Sequence, residues 1–191
     1  MQELINQLKR YLNISTEAEE YILSNSSEKR VEKGEVLIRE GQKVDKIYYV
    51  VDGCLRSYCT DKRGKEHTLL FATKKQWISD YMAIHKKEAA ALAVESLTNS
   101  LVVGISVTGV NQLFDLFPEF EPWQRENLTR HAYHLQKRIL NQLQLTAKER
   151  YESFLKYYSE IEKFTPNYHI ASYLGITQES LSRIRAEGAK K

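Results

Sequence analysis

The chain has 191 residues, 42% hydrophobic and 28% charged, with 28 Lys/Arg against 25 Asp/Glu, the make-up of an ordinary soluble chain of one large or two small domains. No window approaches eighteen consecutive apolar residues, which excludes a membrane-spanning helix. The N-terminal stretch "MQELINQLKRYLNIS" is amphipathic and mixed in charge, unlike a signal peptide, so residence in the cytoplasm is expected. The charge is unevenly spread: residues 1–123 carry 16 Lys/Arg against 18 Asp/Glu, net −2, and residues 124–191 carry 12 against 7, net +5. A basic C-terminal part suits a polyanion.

In chain order, residues 3–24 read as two short helices. Leu4, Ile5, Leu8, Tyr11 and Leu12 recur at helical spacing, and a second run holds Ala18, Tyr21, Ile22 and Leu23. Ser15 followed by "TEAEE" is a helix start, with a capping hydroxyl and acids in the first turn. From Lys29 the period changes to two. Short apolar runs are separated by Lys33-Gly34, Glu40-Gly41, Asp52-Gly53 and Asp61-Lys62-Arg63-Gly64, a pattern that predicts many short antiparallel strands. "LAVESLTNSLVVGIS", from Leu92 to Ser106, adds two more. Cys54 and Cys59 lie five apart on one predicted strand and point to opposite faces, so they are expected to be free thiols. Two cysteines are also too few for a zinc or iron–sulfur site.

"TGVNQLFDLFPEF" predicts a short helix ending before Pro118. More than forty residues then follow Pro122 without Gly or Pro. Trp123, Asn127, Leu128, His131, Leu135, Ile139 and Leu143 recur at spacings of three, four and seven, an apolar seam on a long helix and the pattern of a dimer contact. After Thr165-Pro166 comes "HIASYLGITQESLSRIR", from His169 to Arg185. Small Ala171 stands four residues before Gly175, with Leu181 and Ile184 beyond it. Two closely crossing helices joined by a tight turn need a small residue at the contact, a turn glycine and apolar positions on the second helix. Thr177 is placed to cap that second helix. Gln178, Glu179, Ser182 and Arg183 then face outward, with side chains suited to base edges, while Thr177 and Ser180 suit phosphate. An ordinary helical hairpin with a polar surface is the plainer reading of the same residues.

A β-rich part, a long central helix and "IASYLGITQESLSRIR" at the end resemble the cyclic-AMP receptor/FNR family of bacterial transcription regulators. The likeness covers nearly the whole chain. Its most specific parts are "KGEVLIREGQKVDKIYYVVDGCLRSYCTDKRGKEHTLLF", similar to the family's β-roll, and "TQESLSR", similar to its recognition helix. The resemblance implies an α+β chain with an N-terminal double-stranded β-helix (jelly-roll) effector domain at 1–115. A dimerisation helix would follow at 116–146 and a helix-turn-helix domain at 147–191. It places Gln178, Glu179 and Arg183 at base-reading positions, and Thr177 and Ser180 at backbone-contacting ones. The partners it implies are double-stranded DNA with a near-palindromic operator, a second copy of the chain, a small-molecule effector and RNA polymerase.

Two departures bear on that expectation. The family's cyclic-nucleotide binders hold the ribose and phosphate with a Gly-Glu and an Arg-Ser pair. The first falls here on Ser79-Asp80 and the second on Ala90-Ala91. Without the Arg there is no charge-assisted grip on a phosphate, so no response to cyclic AMP is expected. Lys86 and Lys87 between them read as solvated surface residues. The family also follows its recognition helix with a β-hairpin wing, for which "AEGAKK" is too short; Arg185, Lys190 and Lys191 are the cations left to attract phosphate. The alternative is a small-molecule-binding module with a vestigial DNA-binding domain. An enzyme is not expected: His67, His85, His131, His134 and His169 form no catalytic, metal or haem-ligand signature, and no cofactor is implied.

Overall fold

A computed structural model describes residues 1–188. They divide into two units, Met1–Cys59 with Leu70–Asn127, and Thr60–Leu69 with the residues from Leu128 onward.

The first unit opens with α1 (Gln2–Leu8) and α2 (Thr16–Ser24). Tyr11 and Leu12 lie beyond the end of α1, and Tyr11 is exposed. Ser15 caps α2, its hydroxyl accepting from Ala18 N. Eight strands follow: β1 (Ser26–Val31), β2 (Val36–Ile38), β3 (Lys46–Asp52), β4 (Cys54–Thr60), β5 (Glu66–Thr73), β6 (Trp77–Ile78), β7 (Ala93–Ser96) and β8 (Ser100–Ser106). They form two four-stranded sheets, ordered β1-β8-β3-β6 and β2-β7-β4-β5. This is a jelly roll. Between β6 and β7 lies α3 (Tyr81–Lys86), and α4 (Val107–Leu116) follows β8.

The period of two divides side chains between two apolar clusters. Tyr48 and Val50 of β3 and Val102 of β8 join one with Val31, Leu55, Ile78 and Val94. The intervening Tyr49, with Val103 and Ile105, joins another with Leu4, Ile5, Ile22 and Leu113. Gly53 turns β3 into β4 at φ +94°, where a Cβ would run into the hydroxyls of Ser100 and Thr98. Arg56 is fully buried on β4, its Nε bonded to Glu95 of β7 at 2.9 Å, the pair facing each other in the strand register. Both cysteines are free, Cys54 buried and Cys59 half-buried.

The expected long central helix is present, and a second, separate helix follows it. α5 runs Phe120–Gln144 and α6 runs Ala147–Tyr157. A capping box makes the break: Thr146 Oγ1 accepts from Glu149 N, and the Glu149 carboxylate accepts from Thr146 N at 2.8 Å. Trp123, first residue of the seam, sits edge-on to Trp77 within the first unit. In the second unit a 3₁₀ turn (Ile161–Lys163) leads to α7 (Asn167–Leu174) and α8 (Gln178–Gly188). Their core is Tyr151, Phe154, Tyr158, Ile161, Ile170, Leu181 and Ile184. No helix among the described residues is long and apolar enough to cross a membrane.

Candidate functional site

The outer face of α8 is built from the turn before it. Pro166, with φ fixed at −55°, precedes α7. Gly175 ends that helix in the left-handed region at φ +68°, and Ile176 N donates back to the Ala171 carbonyl at 3.0 Å. A Cβ on Gly175 would also press against the Gln142 amide at 3.0–3.5 Å. Thr177 Oγ1 accepts from Ser180 N at 3.2 Å and so caps α8. Leu181 and Ile184 are buried and Ala171 is 2% exposed, which places the small residue inside the helix crossing. Thr177, Gln178, Glu179, Ser182 and Arg183 are exposed along one side, and Ser180 is half-buried, its hydroxyl accepting from Thr177.

Arg185 is committed elsewhere. Its guanidinium pairs with Glu162, donates to Asn167 Oδ1 at 2.6 Å and reaches the Tyr151 hydroxyl at 3.2 Å. It is therefore held inside the second unit and is not a free surface cation. Lys190 and Lys191 lie outside the described residues.

The segments around Ser79-Asp80 and Ala90-Ala91 do come together. Asp80 is 0% exposed and caps α3, its Oδ1 accepting from Ala83 N at 3.0 Å. Its Oδ2 accepts from Ala91 N at 2.8 Å and Leu92 N at 3.0 Å. A buried carboxylate is costly unless hydrogen-bonded, and three amides meet that need here. Ser79 donates to the Lys46 carbonyl at 3.0 Å, and Ala90 exchanges backbone hydrogen bonds with Gln42 and Gly41. Ala91, Lys86 and Lys87 are exposed. The amide donors at this place are thus satisfied by the chain's own carboxylate. The resemblance located the two pairs; it carried no sign that Asp80 would bridge them. Nothing in the sequence pattern marks Arg138 or Arg150, whose guanidiniums donate their hydrogen bonds to backbone carbonyls. Among the described residues no group of three His, Cys, Asp or Glu could hold a metal ion.

Residues 28–116 match the family model described as the cyclic nucleotide-binding domain. Solved structures extend the likeness beyond it. FixK2 from Bradyrhizobium japonicum is 19% identical over 85% of this chain and 83% of that one, with a TM-score of 0.74. A Eubacterium rectale protein described as a transcriptional regulator of the Crp/Fnr family is 18% identical, covering 93% and 85%, with a TM-score of 0.74. The c-di-GMP responsive global regulator CLP of Xanthomonas campestris is 16% identical over 91% and 93%, with a TM-score of 0.71. No curated protein sequence matches significantly. The chain therefore has the fold of these proteins, a jelly roll followed by a helical C-terminal region. Asp80 and its three amide donors lie within the matched residues.

Proposed function

We propose that the chain is a homodimeric, sequence-specific DNA-binding transcription regulator of the Crp/Fnr type whose effector domain does not respond to cyclic AMP. The observation that carries this reading is α8: apolar Leu181 and Ile184 inward, Gln178, Glu179, Ser182 and Arg183 outward, behind a left-handed Gly175. Arg, Gln and Glu on one exposed helical side are the groups that read guanine, adenine and cytosine edges in a major groove. Thr177 and Ser180 are then the backbone contacts at the helix start. In this reading residues 1–115 are the effector domain, 116–146 the dimerisation helix and 147–191 the helix-turn-helix domain. The chain is a regulator and not an enzyme.

Loss of the cyclic AMP response follows from two features. Ala90-Ala91 offers no cation for a cyclic phosphate, and Asp80 occupies the Ala83, Ala91 and Leu92 amides with a negative charge of its own. An incoming phosphate would meet a carboxylate in place of donors.

The test is fluorescence anisotropy on a selected operator, comparing the protein with Arg183→Ala across a salt series. Arg183→Ala is expected to lose about 1–3 kcal/mol on the operator and much less on random duplex, with cyclic AMP changing neither. Equal losses on both duplexes would reduce Arg183 to a non-specific phosphate contact.

A further inference from the structure

Between α5, α6 and the C-terminal end of α7 lies a cavity of about 80 Å³. Its walls carry His134, Lys137 and Arg138 from α5 and Arg150 from α6, and no carboxylate. The two guanidiniums hydrogen-bond carbonyl oxygens alone, and Arg138 also lies over the Tyr173 ring, 4.4 Å from its centroid. Arg138 donates to Leu69, Thr68 and Tyr173 at 3.1, 3.1 and 2.8 Å, and Arg150 to Leu174 and Leu145 at 3.1 and 2.7 Å. Neither they nor Lys137 form an ion pair among the described residues.

The plainer account is that both arginines cap helix ends, since Tyr173 and Leu174 close α7 and Leu145 follows α5. Charge bookkeeping shows this is incomplete. A helix C-terminus carries roughly half a negative charge, so two of them offset about one of the three cations. Arg138 Nε is moreover buried without an acceptor. The Gln142 amide on the same wall makes no hydrogen bond among the described residues. Burial chiefly, with His131 and the Arg138 charge adding to it, holds the His134 imidazole below its ordinary value. The volume sets the size of what could balance the remaining positive charge. At about 80 Å³ the pocket has room for a few waters or one tetrahedral ion.

We infer that this cavity binds a small oxyanion of the size of inorganic phosphate, held by Arg138, Arg150 and Lys137 with the Gln142 amide as a neutral donor. The bound ion joins α5 and α6 to the last turn of α7, directly ahead of Gly175 and α8. The inference does not depend on the DNA-binding reading, because the ion is measured on the protein alone, which also separates free phosphate from a nucleic-acid phosphodiester.

The experiment is isothermal titration calorimetry of the full chain with sodium phosphate, then sodium sulfate, at an ionic strength held constant with chloride. The His134 imidazole resonance is followed in parallel by NMR. Lys137→Ala and Gln142→Ala serve as variants because both side chains are exposed and the fold does not rest on them. Saturable one-to-one binding, a His134 shift that saturates with it, and at least fivefold weaker binding in each variant are expected. Heats and shifts no larger than the chloride control, or unchanged affinity in both variants, would overturn the assignment.

Discussion

The Asp80 carboxylate accepts hydrogen bonds from Ala83, Ala91 and Leu92, all within 3.0 Å, while wholly removed from solvent. Asp80→Ala strands three amides and removes the α3 cap. An equilibrium urea titration is expected to show a loss of about 2–4 kcal/mol. Millimolar formate, a carboxylate small enough for the vacated space, should recover part of that loss, whereas chloride should not. A loss under about 0.5 kcal/mol, the size of an ordinary surface change, would mean that water replaces the carboxylate without strain. Positions 79–80 and 90–91 were located by the resemblance, which matches them to the family's two nucleotide-holding pairs. The bridging role was not, because the direction of a side chain after a two-residue strand depends on tertiary packing. Arg138 and Arg150 were silent for the same reason: their partners are carbonyl oxygens, which every residue has.

At the level of elements, alternation of period two and Gly-containing turns announced many short antiparallel strands, and the resemblance implied their jelly roll. Ser15, Pro118 and Gly175 gave helix boundaries that the structure reproduces, since each acts through local backbone chemistry. The break between α5 and α6 has neither Gly nor Pro; the resemblance put a boundary at 146–147, and Thr146 and Glu149 spell the capping box that makes it. On α5, burial holds both His131 and His134 below the ordinary imidazole value, with His131 and Arg138 adding to the effect at His134. Their unfolded value is about 6.5, so folding favours the neutral form. The stability they add is complete above that pH and is lost as pH falls through the lower folded values. Melting temperature is therefore expected to fall between pH 7 and pH 5. The fall should flatten in a His131→Gln/His134→Gln double variant. Equal slopes in the two proteins would assign the acid sensitivity to other groups.

For the whole molecule, the apolar seam of α5 is the feature a single chain leaves unfinished. Leu128, Ile139 and Leu143 are 45%, 59% and 77% exposed, whereas Trp123 at its start is occupied within the first unit. Under the proposed function a second copy covers these positions. Ile139→Glu/Leu143→Glu is then expected to halve the mass seen by light scattering on size exclusion without unfolding the chain; an unchanged mass would move the dimer contact elsewhere. Basic charge gathered after Trp123 belongs to the same picture, as a sequence-independent attraction that precedes readout.

The most direct measurement is selection of bound fragments from a random duplex pool by the purified full chain, without added ligand. The account predicts enrichment of a near-palindrome with half-sites about 34 Å apart, one helical turn, because two copies of α8 related by a two-fold axis enter successive major grooves. No enriched sequence, with only weak and steeply salt-dependent binding, would contradict it.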